Sequence, residues 1–336
     1  MTPDQILLDH GSGGKIAHHL TTDLLLPAFD NPILAALDDG ARLDLADQCI
    51  AFSTDTYVVD PIFFPGGSIG DLAINGTVND VAMCGATPLY LSVGMIIEEG
   101  FAMADLKRVV AHMGRAAQRA GVHVVTGDTK VVPKGAADKI FINTSGIGII
   151  RSGIDVAGAN ARPGDAIILS GTMADHGMTI LTQREGLVFE SDVQSDSAPL
   201  NHMVADIFNT GCDVHVLRDP TRGGVATTLN EIAAASKVGI RIYENRLPVR
   251  PAVAGICDLL GFDPLYVANE GKLLAVVPSD QAESVLAAIR QSAYGKAACI
   301  IGETIDDPTG RVFMQTRIGG ERIVDMLTGE QLPRIC

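Results

Sequence analysis

The sequence predicts a two-domain chain of the α/β or α+β class. Three observations carry that expectation. Apolar segments of strand character alternate with amphipathic helical segments in both halves. The length, 336 residues, suits two ordinary domains. The turn tetrapeptide Arg162-Pro163-Gly164-Asp165 interrupts the alternation just before a new apolar run and marks a boundary. The expected division is 1–155, 160–325, and a tail over 326–336. Periodicity alone leaves the sheet topology open.

In chain order, residues 5–30 hold the glycine cluster His10-Gly11-Ser12-Gly13-Gly14-Lys15, then a helix expected to end before Pro27. Residues 49–54 read as a strand running into Asp55. Ser68 opens a helix over 68–84, with Leu72, Val78, Val81 and Ala82 on its apolar side. A strand over 89–97 follows. The next helix, 105–120, begins at Asp105 and carries the stripe Leu106, Val109, Val110, Met113 and Ala117. Strands are expected near 122–126 and 140–150.

In the second half, strands are expected at 166–169, 213–217, 239–243, 272–277 and 298–302. Helices are expected at 175–185, 198–209, 223–236, 249–260 and 280–291. Beyond Arg317 only Ile323-Val324-Asp325-Met326 reads as a short strand. Residues 328–336 read as an untethered tail; ten extended residues reach about 33–36 Å.

Composition narrows the function classes. Apolar residues make up 47% and charged residues 19%, which supports a large core and argues against disorder. Aromatics are 4% and Trp is absent, so the core is aliphatic. The formal net charge of −15, with no basic face, argues against nucleic-acid binding. No apolar run approaches the ~20 residues of a membrane span. Met1-Thr2-Pro3-Asp4 shows no basic start and no apolar signal region. The six cysteines form no CxxC pair, so a reduced, cytoplasmic protein is expected.

Several motifs suit an anionic, phosphate-bearing ligand, and each also has a plainer reading. Gly11, Ser12, Gly13 and Gly14 can wrap backbone N–H groups around an anion, with Lys15 adding a charge; alone, this reads more readily as a flexible turn. Asp residues recur where apolar segments end: Asp38-Asp39-Gly40, Asp55, Asn79-Asp80, Gly127-Asp128 and Arg218-Asp219-Pro220-Thr221. Converging in space, they would suit Mg²⁺ and a nucleotide; singly, each is a turn or cap residue. Lys130 follows the Asp128 turn and suits oxyanion stabilisation, or it is a surface lysine. Arg218 to Gly224 leads into a helix, which suits an anion or a capping turn. Glu270, in Asn269-Glu270-Gly271-Lys272, suits a general base or an exposed strand start. The terminal thiol of Cys336 suits a carried group better than a self-sufficient nucleophile. Its own carboxylate disfavours the thiolate and Arg334 favours it; an accidental terminal Cys fits the chemistry as well.

Taken together these motifs resemble one family. They include His10-Gly11-Ser12-Gly13-Gly14, Phe52-Ser53-Thr54-Asp55, Phe63-Phe64-Pro65-Gly66-Gly67, Asn79-Asp80-Val81-Ala82 and Thr126-Gly127-Asp128-Thr129-Lys130. Asp219-Pro220-Thr221-Arg222-Gly223-Gly224, Asn269-Glu270-Gly271-Lys272 and Pro333-Arg334-Ile335-Cys336 complete the set. The chain is thereby similar to the HypE family of hydrogenase maturation proteins, carbamoyl dehydratases of the aminoimidazole ribonucleotide synthetase-like superfamily. The terminal tetrapeptide is the most specific element.

The resemblance implies an N-terminal α/β domain forming a dimeric barrel with its partner subunit, a C-terminal α+β domain and a flexible tail bearing Cys336. It implies ATP and Mg²⁺ as cofactors, in the cleft near the dimer interface. The partners implied are a second copy in a homodimer, the carbamoyltransferase HypF, and the HypC–HypD complex. The reaction implied is ATP-dependent dehydration of an S-carbamoyl group on Cys336 to a thiocyanate, which supplies cyanide for the iron of [NiFe]-hydrogenase. Asp38, Asp55, Asp80 and Asp128 would contact metal, and Asp219 the nucleotide. Gly11 to Lys15 would cover the phosphates, Lys130 would steady the transferring phosphoryl group, and Glu270 would be the base. The rivals are an ATP-dependent small-molecule kinase of the same superfamily and a non-catalytic carrier scaffold. A selenophosphate synthetase would carry a reactive Cys near the glycine loop, and residues 1–48 contain none.

Overall fold

A computed structural model describes residues 5–29, 31–187, 192–329 and 331–336. Residues 1–4 and Asp30 of the expected first domain, 188–191 of the second, and Glu330 of the expected tail lie outside the described residues.

Two sheets organise the chain. The first holds Ala41–Leu45 (β1), Gln48–Tyr57 (β2), Ala86–Glu98 (β5), His123–Val132 (β6) and Ile140–Ile150 (β7), in the order β1-β2-β7-β5-β6. Only the β5–β6 pair is parallel. The hairpin Phe63–Phe64 (β3) and Gly67–Ser68 (β4) precedes the helix Ile69–Met83 (α3). The Ser68 hydroxyl caps that helix by accepting from the Gly70 N–H. The one-sided apolar stripe expected for this helix understates it, because α3 is buried nearly all round. It lies between β2 and β7 on one side and the helices Met103–Ala120 (α4) and Asn201–Asn209 (α6) on the others.

The second sheet runs β14-β13-β10-β12-β8-β11-β9. Its strands are Asp165–Leu169 (β8), Val216–Arg218 (β9), Gly239–Tyr243 (β10), Leu274–Pro278 (β11), Cys299–Ile305 (β12), Val312–Gln315 (β13) and Glu321–Val324 (β14). Gly224–Ser236 (α7) covers one face, and α6 with Ala282–Gln291 (α9) covers the other. Strand β8 is therefore buried on both sides, which accounts for its uninterrupted apolar run. Asp175–Arg184 (α5) and Pro251–Leu260 (α8) instead join the apolar cluster of the first sheet.

Four expectations need correction. The first helix does not end before Pro27. Lys15–Leu20 (α1) passes through a π turn, Thr21–Leu25, into Leu26–Phe29 (α2). The wider turn gives the proline ring room beside the preceding carbonyls. Strands β1 and β13 carry no strong apolar pattern and were not expected. Strand β6 extends to Val132, so Asp128 and Lys130 sit within an edge strand rather than in a turn after one. Lastly, the tail is docked: Ile335 and Cys336 are buried in the apolar cluster of the first sheet. Backbone pairing and side-chain donors hold it there, as described below.

Among the described residues the first sheet is open, with no closed barrel. Its outer face exposes a cross-strand row, Phe52 on β2, Ile147 on β7 and Tyr90 on β5. Beside it, β6 exposes Val124, Val125 and Val131 on the unpaired edge.

Candidate active site

The carboxylates predicted from sequence divide into two groups. Asp55, Asp80, Asp219 and Glu270 converge, together with Asp39. Asp80 stands near the end of α3 and accepts from the Ser53 hydroxyl on β2 at 2.7 Å. Asp219 follows β9. Burial pushes the Asp80 carboxyl well up, and the charges of Asp219, Asp55 and Asp39 push it further. Asp219 is likewise pushed well up by burial and by Asp39, against the pull of Arg218. Each charge that raises a neighbour must lie close to it, so these shifts record the crowding.

Asp39 is the member that sequence reasoning placed second to Asp38. One oxygen pairs with Arg218 Nε at 2.6 Å. The other is buried without a protein partner. Burial outweighs the guanidinium and pushes the carboxyl up to about 6. Asp38 instead accepts from the Gly158 N–H at 2.8 Å. Arg218, which also pairs with Glu231 at 2.7 Å, is a buried cation facing this group.

A pH trend follows. A raised carboxyl favours the folded state when protonated, so its contribution is full below 3.8 and lost as pH rises through about 6. In metal-free protein, the unfolding temperature of wild type relative to Asp39→Asn should rise as pH is lowered from about 7 to 5. Calorimetry of both proteins checks this, and the opposite trend sinks it.

Glu270 is 4% exposed. Its backbone N–H donates to Asp196 Oδ1 at 3.0 Å, while Asp196 Oδ2 takes the buried Lys272 ammonium at 2.9 Å. Gly271 packs so tightly on the Asp196 carbonyl that a Cβ there would lie 1.8 Å from its oxygen. Glu270 is thus held through its main chain. Burial pushes its carboxyl well up, with Asp55, Asp219 and Asp196 adding to the effect. Sequence reasoning gave Asp196 and Lys272 no role, since pairing across 76 residues leaves no local signal.

The glycine loop lies over the same region. Arg222 donates to the Gly11 carbonyl at 2.7 Å. Gly13, at φ +76°, approaches Arg222, and Gly14 approaches the Leu327 carbonyl too closely for any Cβ. Ser12 is buried and donates to the Asp9 carbonyl. A cavity of about 580 Å³ opens beside the loop, lined by His10, Gly11, Gly13, Asp38, Arg218 and Arg222 among others. That is within the size range of small-molecule sites. Lys15 does not face it: its ammonium pairs with Asp325.

The structure does not bring Asp128 and Lys130 to this cluster. They pair with each other at 2.7 Å, with side chains 68% and 69% exposed, and the Lys130 ammonium holds Asp128 low. The physical reason is their place on β6, an edge strand exposed on both faces. Among the described residues no group of three or more His, Cys, Asp or Glu side chains is placed to hold a metal ion by itself.

Cys336 is 8% exposed and packs in the cluster that includes Val267 and Ala268, the residues leading into Glu270. Its terminal carboxylate oxygen accepts from the Val58 N–H at 2.8 Å, three residues beyond Asp55. Arg334 donates to the Val58 carbonyl and pairs with Asp138.

The AIR synthase related protein family matches this chain in two parts, its N-terminal domain over residues 37–150 and its C-terminal domain over 162–315. The carbamoyl dehydratase HypE of Cupriavidus necator is 53% identical over 333 residues, 99% of this chain and 95% of the relative. A HypE chain crystallised with ATP is 56% identical with a TM-score of 0.84, covering 99% of this chain and all of that one. A chain of a HypE–HypF complex is 49% identical with a TM-score of 0.88, covering 92% of this chain and 99% of that one. On sequence and fold together, the chain belongs to the carbamoyl dehydratase HypE family of AIR synthase related proteins.

Proposed function

We propose that this protein dehydrates a carbamoyl group carried as a thioester on Cys336, using ATP, to give a thiocyanate for hydrogenase maturation. The observation that carries the reading is the seat of Cys336. The chain end is buried in the apolar cluster that also holds Val267 and Ala268, the residues leading into Glu270, and it bonds to the segment that follows Asp55. A docked, tethered substrate makes the reaction effectively intramolecular. The ATP-bound and HypF-bound relatives support a nucleotide substrate and a carbamoyltransferase partner.

In this reading ATP enters the cavity beside the glycine loop and phosphorylates the carbamoyl oxygen. That oxygen departs in phosphate, and loss of the two nitrogen protons leaves the nitrile. Glu270, a buried carboxylate of raised basicity, takes a proton from nitrogen. Asp39, Asp55, Asp80 and Asp219 fit a divalent cation, because one buried Asp39 oxygen lacks a partner and the carboxylates crowd one another. One or two of them would hold Mg²⁺, with phosphate oxygens completing its shell. When bound, Mg²⁺ would neutralise charge on the phosphates. Asp38 would steady the loop around Gly158.

We further propose a homodimer formed through the outer face of the first sheet. It would cover the Phe52, Ile147, Tyr90 row and the exposed β6 edge. Asp128 and Lys130 enter the chemistry only through that assembly, since in the single chain they stand in solvent. Ile147→Asp places one unpaired carboxylate per subunit in the contact, at several kcal/mol each. Sedimentation should show a monomer for this variant where wild type is a dimer; an unchanged dimer excludes this face. We also propose a division near residues 155–160, a cytoplasmic setting and delivery of the cyanide to HypC–HypD. Among the described residues no helix is long and apolar enough to cross a membrane.

Intact-protein mass spectrometry tests the reaction. The chain is incubated with carbamoyl phosphate and its carbamoyltransferase, then with Mg-ATP. Gain of one carbamoyl group followed by ATP-dependent loss of one water is expected. Loading without water loss would indicate a carrier scaffold. ATP hydrolysis without loading would indicate a small-molecule kinase.

A further inference from the structure

A set of donors addresses the main chain of the last four residues. Arg184 Nη1 donates to the Pro333 carbonyl at 2.6 Å and Nη2 to the Arg334 carbonyl at 2.7 Å. His176 Nε2 meets the Ile335 carbonyl at 2.8 Å. The Val58 N–H takes the Cys336 oxygen at 2.8 Å. The carbonyls of 333, 334 and 335 and the carboxylate of Cys336 therefore each have a donor. Arg184 also donates through Nε to the Asp60 carbonyl at 2.9 Å, so one guanidinium ties the tail to the segment it pairs with.

The donors are themselves fixed. A carbonyl only accepts, so His176 Nε2 carries the proton and Nδ1 accepts from the Ser195 hydroxyl at 2.8 Å. Burial keeps this imidazole neutral by pushing its pKa down. The Ser197 N–H donates to the Ser195 hydroxyl, and the Ser195 N–H donates to the Pro65 carbonyl. Phe64 packs edge-on against the imidazole ring. A second observation points the same way. Arg334 sits at φ +52°, a left-handed conformation that an L-residue keeps only where its surroundings impose it.

We propose that His176 and Arg184 are positioning residues that seat the carrier arm for dehydration through its main-chain carbonyls. This rests on the reading that Cys336 carries the substrate. Because these donors meet the carbonyls of residues 333–335, the same latch serves the arm when bare, carbamoylated and dehydrated. Loading by a partner enzyme requires the arm to leave this buried seat. Weakening the latch should therefore slow dehydration and leave loading intact or faster.

The test uses the full chain with substitutions His176→Ala, His176→Gln, Arg184→Ala and Arg184→Lys. Peptide-resolved alkylation of Cys336 by iodoacetamide reports release of the arm without any turnover. The alanine variants should alkylate about fivefold to tenfold faster for each hydrogen bond lost. Single-turnover dehydration of preloaded protein should slow by a similar factor, with loading by the carbamoyltransferase not slowed. His176→Gln, which keeps an N–H donor, should recover part of both effects. Arg184→Lys cannot span two carbonyls and should recover little. Unchanged alkylation in both alanine variants would overturn the latch. So would equal loss of loading and dehydration in a variant that unfolds at the wild-type temperature. If wild type neither loads nor dehydrates, the carrier reading fails, while alkylation still decides whether the latch exists.

Discussion

Replacing Cys336 by alanine should give a folded protein that still binds ATP, takes up no carbamoyl group and loses no water. The effect on turnover is total, because the thiol is the attachment atom. Of the other cysteines, at 49, 84, 212, 257 and 299, Cys257 is buried in the same apolar cluster but belongs to helix α8 rather than to the chain end. The effect on stability is small. The side chain contributes one buried sulfur to a large apolar cluster, and losing a group of that size costs about 1 kcal/mol. The latch contacts to the tail are all main-chain and survive the change. Mass spectrometry after carbamoyl phosphate and Mg-ATP reads the chemistry, and the shift of unfolding temperature with ATP reads nucleotide binding. Wild-type loading in this variant would move the carrier to another residue. Cys336→Ser should also fail to turn over, since a hydroxyl is a far weaker nucleophile than a thiol.

Glu270→Gln should load at the wild-type rate and dehydrate about 10²- to 10⁴-fold more slowly, the usual cost of losing a general base. Glutamine keeps the shape of the side chain and the backbone bond to Asp196, so the seat of the residue is preserved. It removes one charge from a buried set that repels it, so the unfolding temperature should hold or rise. The direction of the pKa shift adds a second signature. A carboxyl held high is protonated at low pH, and only its ionised form accepts a proton. The dehydration rate of wild type should therefore rise with pH through the Glu270 titration, and the residual rate of Glu270→Gln should be flat. Single-turnover rates across a pH series measure both. A Gln variant with near wild-type dehydration, or with the same pH slope, would assign the base elsewhere.

These two residues also show how unevenly the site could be read. Both were named from sequence, Cys336 by its place at the chain end and Glu270 by its place before an apolar strand. Asp80 and Asp219 were named with them, because an acidic residue where an apolar segment ends is a local pattern. The same pattern at Asp128 stands on an edge strand, outside the carboxylate cluster in the single chain. A strand that exposes both faces looks, from sequence, like a short strand followed by a turn. Lys15 is a related case: a lysine beside glycines suits a phosphate, but here Asp325 takes the ammonium.

The sequence by itself determined the alternation of strands and helices, the turn near 162–165, and most of the acidic residues at segment ends. Those features rest on hydrophobic period and on turn chemistry, which act over a few residues. Tertiary structure alone decided which carboxylates meet, because convergence depends on the order of strands in a sheet. It decided that Asp39 rather than Asp38 pairs with Arg218, which arrives from the other domain. It also decided the fate of the tail. Residues 328–336 carry little local pattern, and their seat is built from Val58, His176 and Arg184, which are more than 140 residues away in sequence. Contacts of that range leave no periodicity to read, and only the folded chain brings the donors to the carbonyls.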